Sequence, residues 1–162
     1  MRLLLISSSQ PPEHQYLGHC REEIKSFLGS LKRVLCIPYA KPNHEYIDIE
    51  RRAWSEMSLE LEGISDADPV SQVMKAEAVF VAGGNTFRLL DKLYKENLLE
   101  TIRKRVADGM PYMGASAGIN VACSTIQTTN DMPIVIPQSF EALNLVPFQI
   151  NPHYFDPEPA KP

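Results

Sequence analysis

At 162 residues, with 44% hydrophobic and 22% charged side chains, the chain has the size and composition of one globular domain that buries a core without staples, which excludes a disordered or fibrous protein. A net charge of −4 with no run of Lys and Arg argues against nucleic acid or an anionic membrane as the main partner and favours a small molecule. Cys20, Cys36 and Cys123, odd in number, without metal-type spacing and set in apolar runs, fit a reducing cytoplasm, and no apolar stretch has the length of a signal-peptide core or of the roughly 20-residue span of a bilayer.

Leu3 to Ile6 is a continuous apolar run of the kind buried on both faces of a parallel sheet, and it ends in a serine- and proline-rich turn. Leu17, Cys20, Ile24, Phe27, Leu28 and Leu31 recur at helical spacing and predict a helix that covers the sheet. Val34 to Ile37 predicts a second strand stopped by Pro38. A helix with Ala53, Trp54 and Met57 inward follows, and then a weaker strand over Leu59 to Ile64. Asp68 before Pro69 is an N-cap with proline at the first helical position. Ala78 to Ala82 predicts a strand, Phe87, Leu90 and Leu93 a helix after Gly83 and Gly84, and Leu98, Ile102 and Val106 another helix that Gly109 stops. Tyr112 and Met113 form a strand leading directly into Gly114, and Ala117 to Cys123 resume a helical composition. Beyond Thr125 the pattern changes to short extended runs, Pro133 to Ile136 and Leu145 to Ile150. The alternation predicts an α/β domain with a mainly parallel sheet flanked by helices.

Gly114-Ala115-Ser116-Ala117-Gly118 fits a nucleophile elbow between a buried strand and a helix. A sharp strand-to-helix turn strains the serine and demands small neighbours, and the helix start offers free N–H groups to an oxyanion. A small-residue packing motif with an N-cap serine has the same pattern. His14, His19 and His44 lie in turns or beside a helical stripe, whereas His153 follows the apolar run to Ile150, at the expected end of a core strand, where catalytic groups gather in open α/β sheets. A surface-loop histidine is the alternative. Asp131, in the polar turn Thr128 to Pro133, can orient His153, hold substrate, or form a local Asx turn. The Gly83-Gly84 turn suits close backbone approach to a ligand but lacks the third glycine of a dinucleotide site.

Four segments, Ala82 to Phe87, Gly114 to Gly118, Thr128 to Pro133 and Gln149 to His153, together resemble the peptidase E family in residue, order and spacing. The similarity reaches back to Leu3–Ser8 and Ile37-Pro38-Tyr39, and so covers essentially the whole chain. It implies a class I glutamine amidotransferase-like fold with serine in place of cysteine at the elbow, hydrolysis of dipeptides that begin with aspartate, no cofactor or metal, a cytoplasmic location and a monomer or homodimer. Under the resemblance Ser116 is the nucleophile, His153 the general base, Gly84 and Ala117 the backbone donors of the oxyanion hole, and Asp131 an aspartate implicated in activity. It also implies a glutamate after the histidine as third triad member and an arginine for the aspartyl side chain, both in a continuation past Pro162, so that residues 1–162 read as a single domain lacking the family's C-terminal portion. A cyanophycinase-like hydrolase of β-aspartyl peptides and an inactive fragment or binding module are the rival expectations. An α/β-hydrolase esterase shares the order Ser116, Asp131, His153, but the fifteen positions from Ser116 to Asp131 are too few for the elements that fold inserts there.

Overall fold

The computed structural model describes residues 1–42 and 46–154. Five strands, β1 (Leu3–Ile6), β2 (Arg33–Ile37), β3 (Glu60–Gly63), β4 (Val79–Val81) and β5 (Tyr112–Ala115), form one sheet in the order β1-β5-β4-β2-β3. Every pairing is parallel. Parallel neighbours need crossover connections, and helices occupy them: α1 (Arg21–Leu28), α2 (Tyr46–Ser55), α3 (Pro69–Lys75), α4 (Thr86–Lys95) and α5 (Leu98–Ala107), with α6 (Ala117–Asn120) following β5.

Alternation along each strand splits the core between the two faces of the sheet. Val34, Cys36, Phe80 and Met113 pack with Ile24 and Leu28 of α1 and Trp54 of α2. Leu35, Ile37, Val79, Val81 and Tyr112 pack with Leu90, Leu93, Ile102 and Val106 of α4 and α5. The unbroken apolar runs are therefore those of strands covered on both sides. Local chemistry sets the helix ends: Asp68 Oδ1 accepts from the Ser71 N–H at 3.1 Å, with Pro69 opening α3, and Asn85 Oδ1 accepts from the Arg88 N–H at 3.0 Å.

Three expectations change. The helix expected from Leu17 to Leu31 is a short 3-10 turn (Gly18–Cys20) and then α1, because Leu17 and Gly29 take positive φ of 56° and 62° and close off its ends. The helical composition to Cys123 yields only α6, followed by turns. Neither 133–136 nor 145–150 is a strand. Ile134 and Ile136 are exposed and find no core. The N–H groups of Leu143, Asn144 and Leu145 donate to the carbonyls of Val121, Cys123 and Ala122 at 2.8, 2.9 and 2.8 Å, so they serve the turn beyond α6, and Pro147 has no N–H for a sheet. His153 thus follows an irregular segment, not a core strand.

One buried charge anchors the loop after β2. Glu50 of α2 is fully buried and accepts from Lys41 Nζ at 2.7 Å and Tyr16 OH at 3.1 Å, with Cys36 Sγ at 3.4 Å. Burial, and then the Glu50 charge, push the Cys36 thiol and the Tyr16 hydroxyl well above their ordinary pKa, so both stay protonated donors. The preceding residue, Ala40, accepts from the Asn85 N–H at 2.9 Å and so braces the glycine turn after β4. Glu50→Gln is expected to lower stability by about 2–3 kcal/mol, less than for a fully buried pair because Lys41 is partly exposed, and to lower the melting temperature by roughly 4–12 °C in a thermal melt.

Candidate active site

Because β4 and β5 are neighbours, their C-terminal ends place the Gly83-Gly84-Asn85 turn beside Ser116. A Cβ at Gly83 would lie 3.1 Å from the Ser116 Cβ. Ser116 itself has φ 51° and ψ −108°, a conformation that costs a non-glycine residue on the order of 1–3 kcal/mol and that a packed structure has to enforce. The Ser116 N–H donates to the Ile6 carbonyl at 3.0 Å, and Tyr112 OH donates to the Gly118 carbonyl at 2.6 Å beneath the turn. At Gly114 a Cβ would come within 2.5 Å of the Gly118 oxygen, so the turn closes only around glycine. Ser116 makes no side-chain capping bond to α6, so its hydroxyl is not used as an N-cap.

Instead the hydroxyl faces a histidine. His153 Nε2 lies 2.7 Å from Ser116 Oγ, although 37 residues separate them. The ring is carried by a backbone at φ 61°, and the His153 N–H donates to Ser7 Oγ at 2.9 Å just past the end of β1. Adjacency of β1 and β5 thus brings the histidine's anchor to the serine's side of the sheet. Of the other histidines, His14 and His19 are exposed and meet edge to face at 5.8 Å, and His44 lies outside the described residues.

Asp131 goes elsewhere. Its Oδ2 accepts from the Thr86 N–H at 2.8 Å, from Thr86 Oγ1 at 2.7 Å and from Thr129 Oγ1 at 3.1 Å, so it caps the start of α4. Among the described residues no hydrogen bond joins Asp131 to His153, and its hold on the start of α4 beside the glycine turn is a contact outside the expected roles. Asn85 Nδ2 ties the same loop to that turn through the Met132 carbonyl at 2.8 Å.

Gly84 has φ 140°, and a Cβ there would stand 2.6 Å from the Ala40 carbonyl oxygen, so no other residue keeps this turn against the loop after β2. The Ala117 N–H opens α6 and has no acceptor within it. These two backbone groups flank Ser116, one from the adjoining turn and one from the adjoining residue. No group of three or more His, Cys, Asp or Glu side chains among the described residues could hold a metal ion, and no helix among them is long and apolar enough to cross a membrane.

Sequence reading missed Asn120. It is 2% exposed, lies four residues past Ser116, and donates through Nδ2 to Thr128 Oγ1 at 3.1 Å. Its signal was a lone amide inside the otherwise apolar stretch Ile119 to Cys123.

Residues 3–162 match the model of peptidase family S51. The chain is 48% identical over 162 residues to peptidase E of Streptomyces coelicolor, covering 99% of this chain and 67% of that one. It is likewise 48% identical over 161 residues to the Drosophila melanogaster protein named "Probable alpha-aspartyl dipeptidase", covering 96% and 67%. Among solved structures, a Listeria monocytogenes protein assigned as peptidase E superposes with a TM-score of 0.74 at 26% identity, over 91% of this chain and 76% of that one. The chain spans about two thirds of the length of the curated relatives it matches.

Proposed function

We propose, from the premise that this chain belongs to peptidase family S51, that it hydrolyses dipeptides with an N-terminal aspartate through an acyl-enzyme on Ser116. The observation that carries the reading is the 2.7 Å contact between Ser116 Oγ and His153 Nε2 on a strained strand-to-helix turn. At that distance the imidazole takes the hydroxyl proton as the oxygen attacks the peptide carbonyl. The Gly84 and Ala117 N–H groups receive the oxyanion, and the imidazolium returns its proton to the departing amine. Water then enters by the same route and releases the aspartyl product.

In this reading Asp131 acts through the glycine turn. By fixing Thr86 it sets the start of α4 and hence the aim of the Gly84 N–H, so its work is on the oxyanion side of the reaction. The names of the relatives favour α-linked aspartyl dipeptides as substrate. Hydrolysis of α-Asp-Leu, its β-linked isomer and Leu-Leu by the purified protein tests the proposal. Turnover is expected for α-Asp-Leu alone. Turnover confined to the β-linked isomer would favour a cyanophycinase-like hydrolase, and turnover of none would favour a binding module.

A further inference from the structure

We propose that Thr128, oriented by Asn120, is the positioning residue that holds His153 at Ser116; this rests on the reading of those two residues as base and nucleophile. The need for such a device follows from the backbone. His153 belongs to no helix or strand, its φ of 61° lies in the left-handed region, and its ring is exposed, so neither a regular ladder nor core packing sets its place. What holds the segment is a set of side-chain bonds. Thr128 Oγ1 donates to the Ile150 carbonyl at 2.5 Å, three residues before the histidine. Asn130 Nδ2 donates to Asn151 Oδ1 at 2.9 Å, and Ser7 Oγ receives the His153 N–H.

Counting protons gives the chain of bonds a direction. A hydroxyl has one hydrogen, and that of Thr128 is used on the Ile150 carbonyl, so toward Asn120 the Thr128 oxygen can only accept. Asn120 must therefore present its amide nitrogen, as it does at 3.1 Å, and its carbonyl oxygen turns toward Thr86 Oγ1 at 3.4 Å. Thr86 in turn gives its own proton to Asp131 at 2.7 Å. Asn120 thus serves the histidine side of the site, two bonds from the segment bearing His153, while its carbonyl oxygen only lies beside Thr86 Oγ1. It does so from the short helix that Ser116 opens, which ties the nucleophile's helix to the base's segment through hydrogen bonds. Buried and polar, Asn120 is costly to keep unless bonded, and here its amide nitrogen is committed to Thr128.

The test is Thr128→Val, which keeps shape and removes the hydroxyl, with Thr128→Ser as the variant that restores it. Two readouts are needed: kcat and KM for α-Asp-Leu, and the rate at which a fluorophosphonate labels Ser116, which reports the base without requiring the peptide. A misplacement near 1 Å costs on the order of 10²-fold, so Thr128→Val is expected to lower kcat and the labelling rate together by roughly 10- to 100-fold, with KM within about threefold. Thr128→Ser should recover most of the loss. Asn120→Asp, which has no amide proton to give Thr128, should move labelling in the same direction, and it decides the matter if Thr128→Val fails to fold. Labelling within twofold of wild type in the folded variants, or a rise in KM with kcat unchanged, would overturn the proposal while leaving Ser116 as nucleophile. A wild-type protein whose Ser116 takes no label would instead overturn the parent reading and this assignment with it.

Discussion

Ser116→Ala is expected to abolish hydrolysis of α-Asp-Leu while leaving the fold in place. Loss of a serine nucleophile in a hydrolase costs about 10⁴ to 10⁶ in kcat, and nothing in the packing compensates. The hydroxyl faces His153 at the mouth of the site, so its removal opens no cavity in the core, and alanine meets the same backbone strain at φ 51° that serine does. The melting temperature should therefore stay within about 2 °C of wild type. Retention of more than roughly a tenth of wild-type turnover would remove Ser116 from the mechanism. A companion variant separates strain from chemistry. Ser116→Gly relieves the positive φ, and should melt about 2–4 °C above Ser116→Ala, for a gain near 1 kcal/mol, with no return of activity. A strained residue that becomes more stable and wholly inactive on relaxation is what a turn selected for function should show.

The second large effect is expected at Gly118→Ala. A Cβ at this position would fall inside van der Waals distance of the Val81 carbonyl oxygen, and that oxygen belongs to the strand backbone of β4, which has no rotamer by which to yield. Overpacking of this kind costs about 1–3 kcal/mol and occasionally more. Here the upper end is expected, because either the sheet or α6 has to shift, and the melting temperature should fall by roughly 6–12 °C. Displacing α6 also lifts Ser116 and the Ala117 N–H from their positions, so the folded fraction should lose kcat by about 10²-fold. Thermal melts and single-turnover rates on the folded protein check both halves. An alanine variant with unchanged stability would mean that α6 is not seated on β4 as the structure has it.

The residues that made the site legible in sequence are those whose chemistry is local. Gly114, Ser116 and Gly118 carry the elbow in five consecutive positions, and Gly83 and Gly84 stand out because a chain that turns against a neighbouring backbone needs them. The role of Asp131 was open for the opposite reason. Whether a carboxylate meets a histidine or a helix start depends on which elements the fold sets beside it, and only the packed structure puts Thr86 there. Asn120 was overlooked because a single buried amide leaves no periodic trace.

What the amino-acid order determined by itself was the alternation of buried strands and amphipathic helices, the cap at Asp68, and the elbow at Ser116, since each follows from side chains within a few residues of one another. The strand order β1-β5-β4-β2-β3, the end of the expected strand at 145–150, and the meeting of Ser116 with His153 across 37 residues were decided by tertiary structure alone. The reason is physical: non-local contacts form only after loops have closed, and which surfaces then face each other is a property of the whole core, to which no single stretch of sequence holds the key.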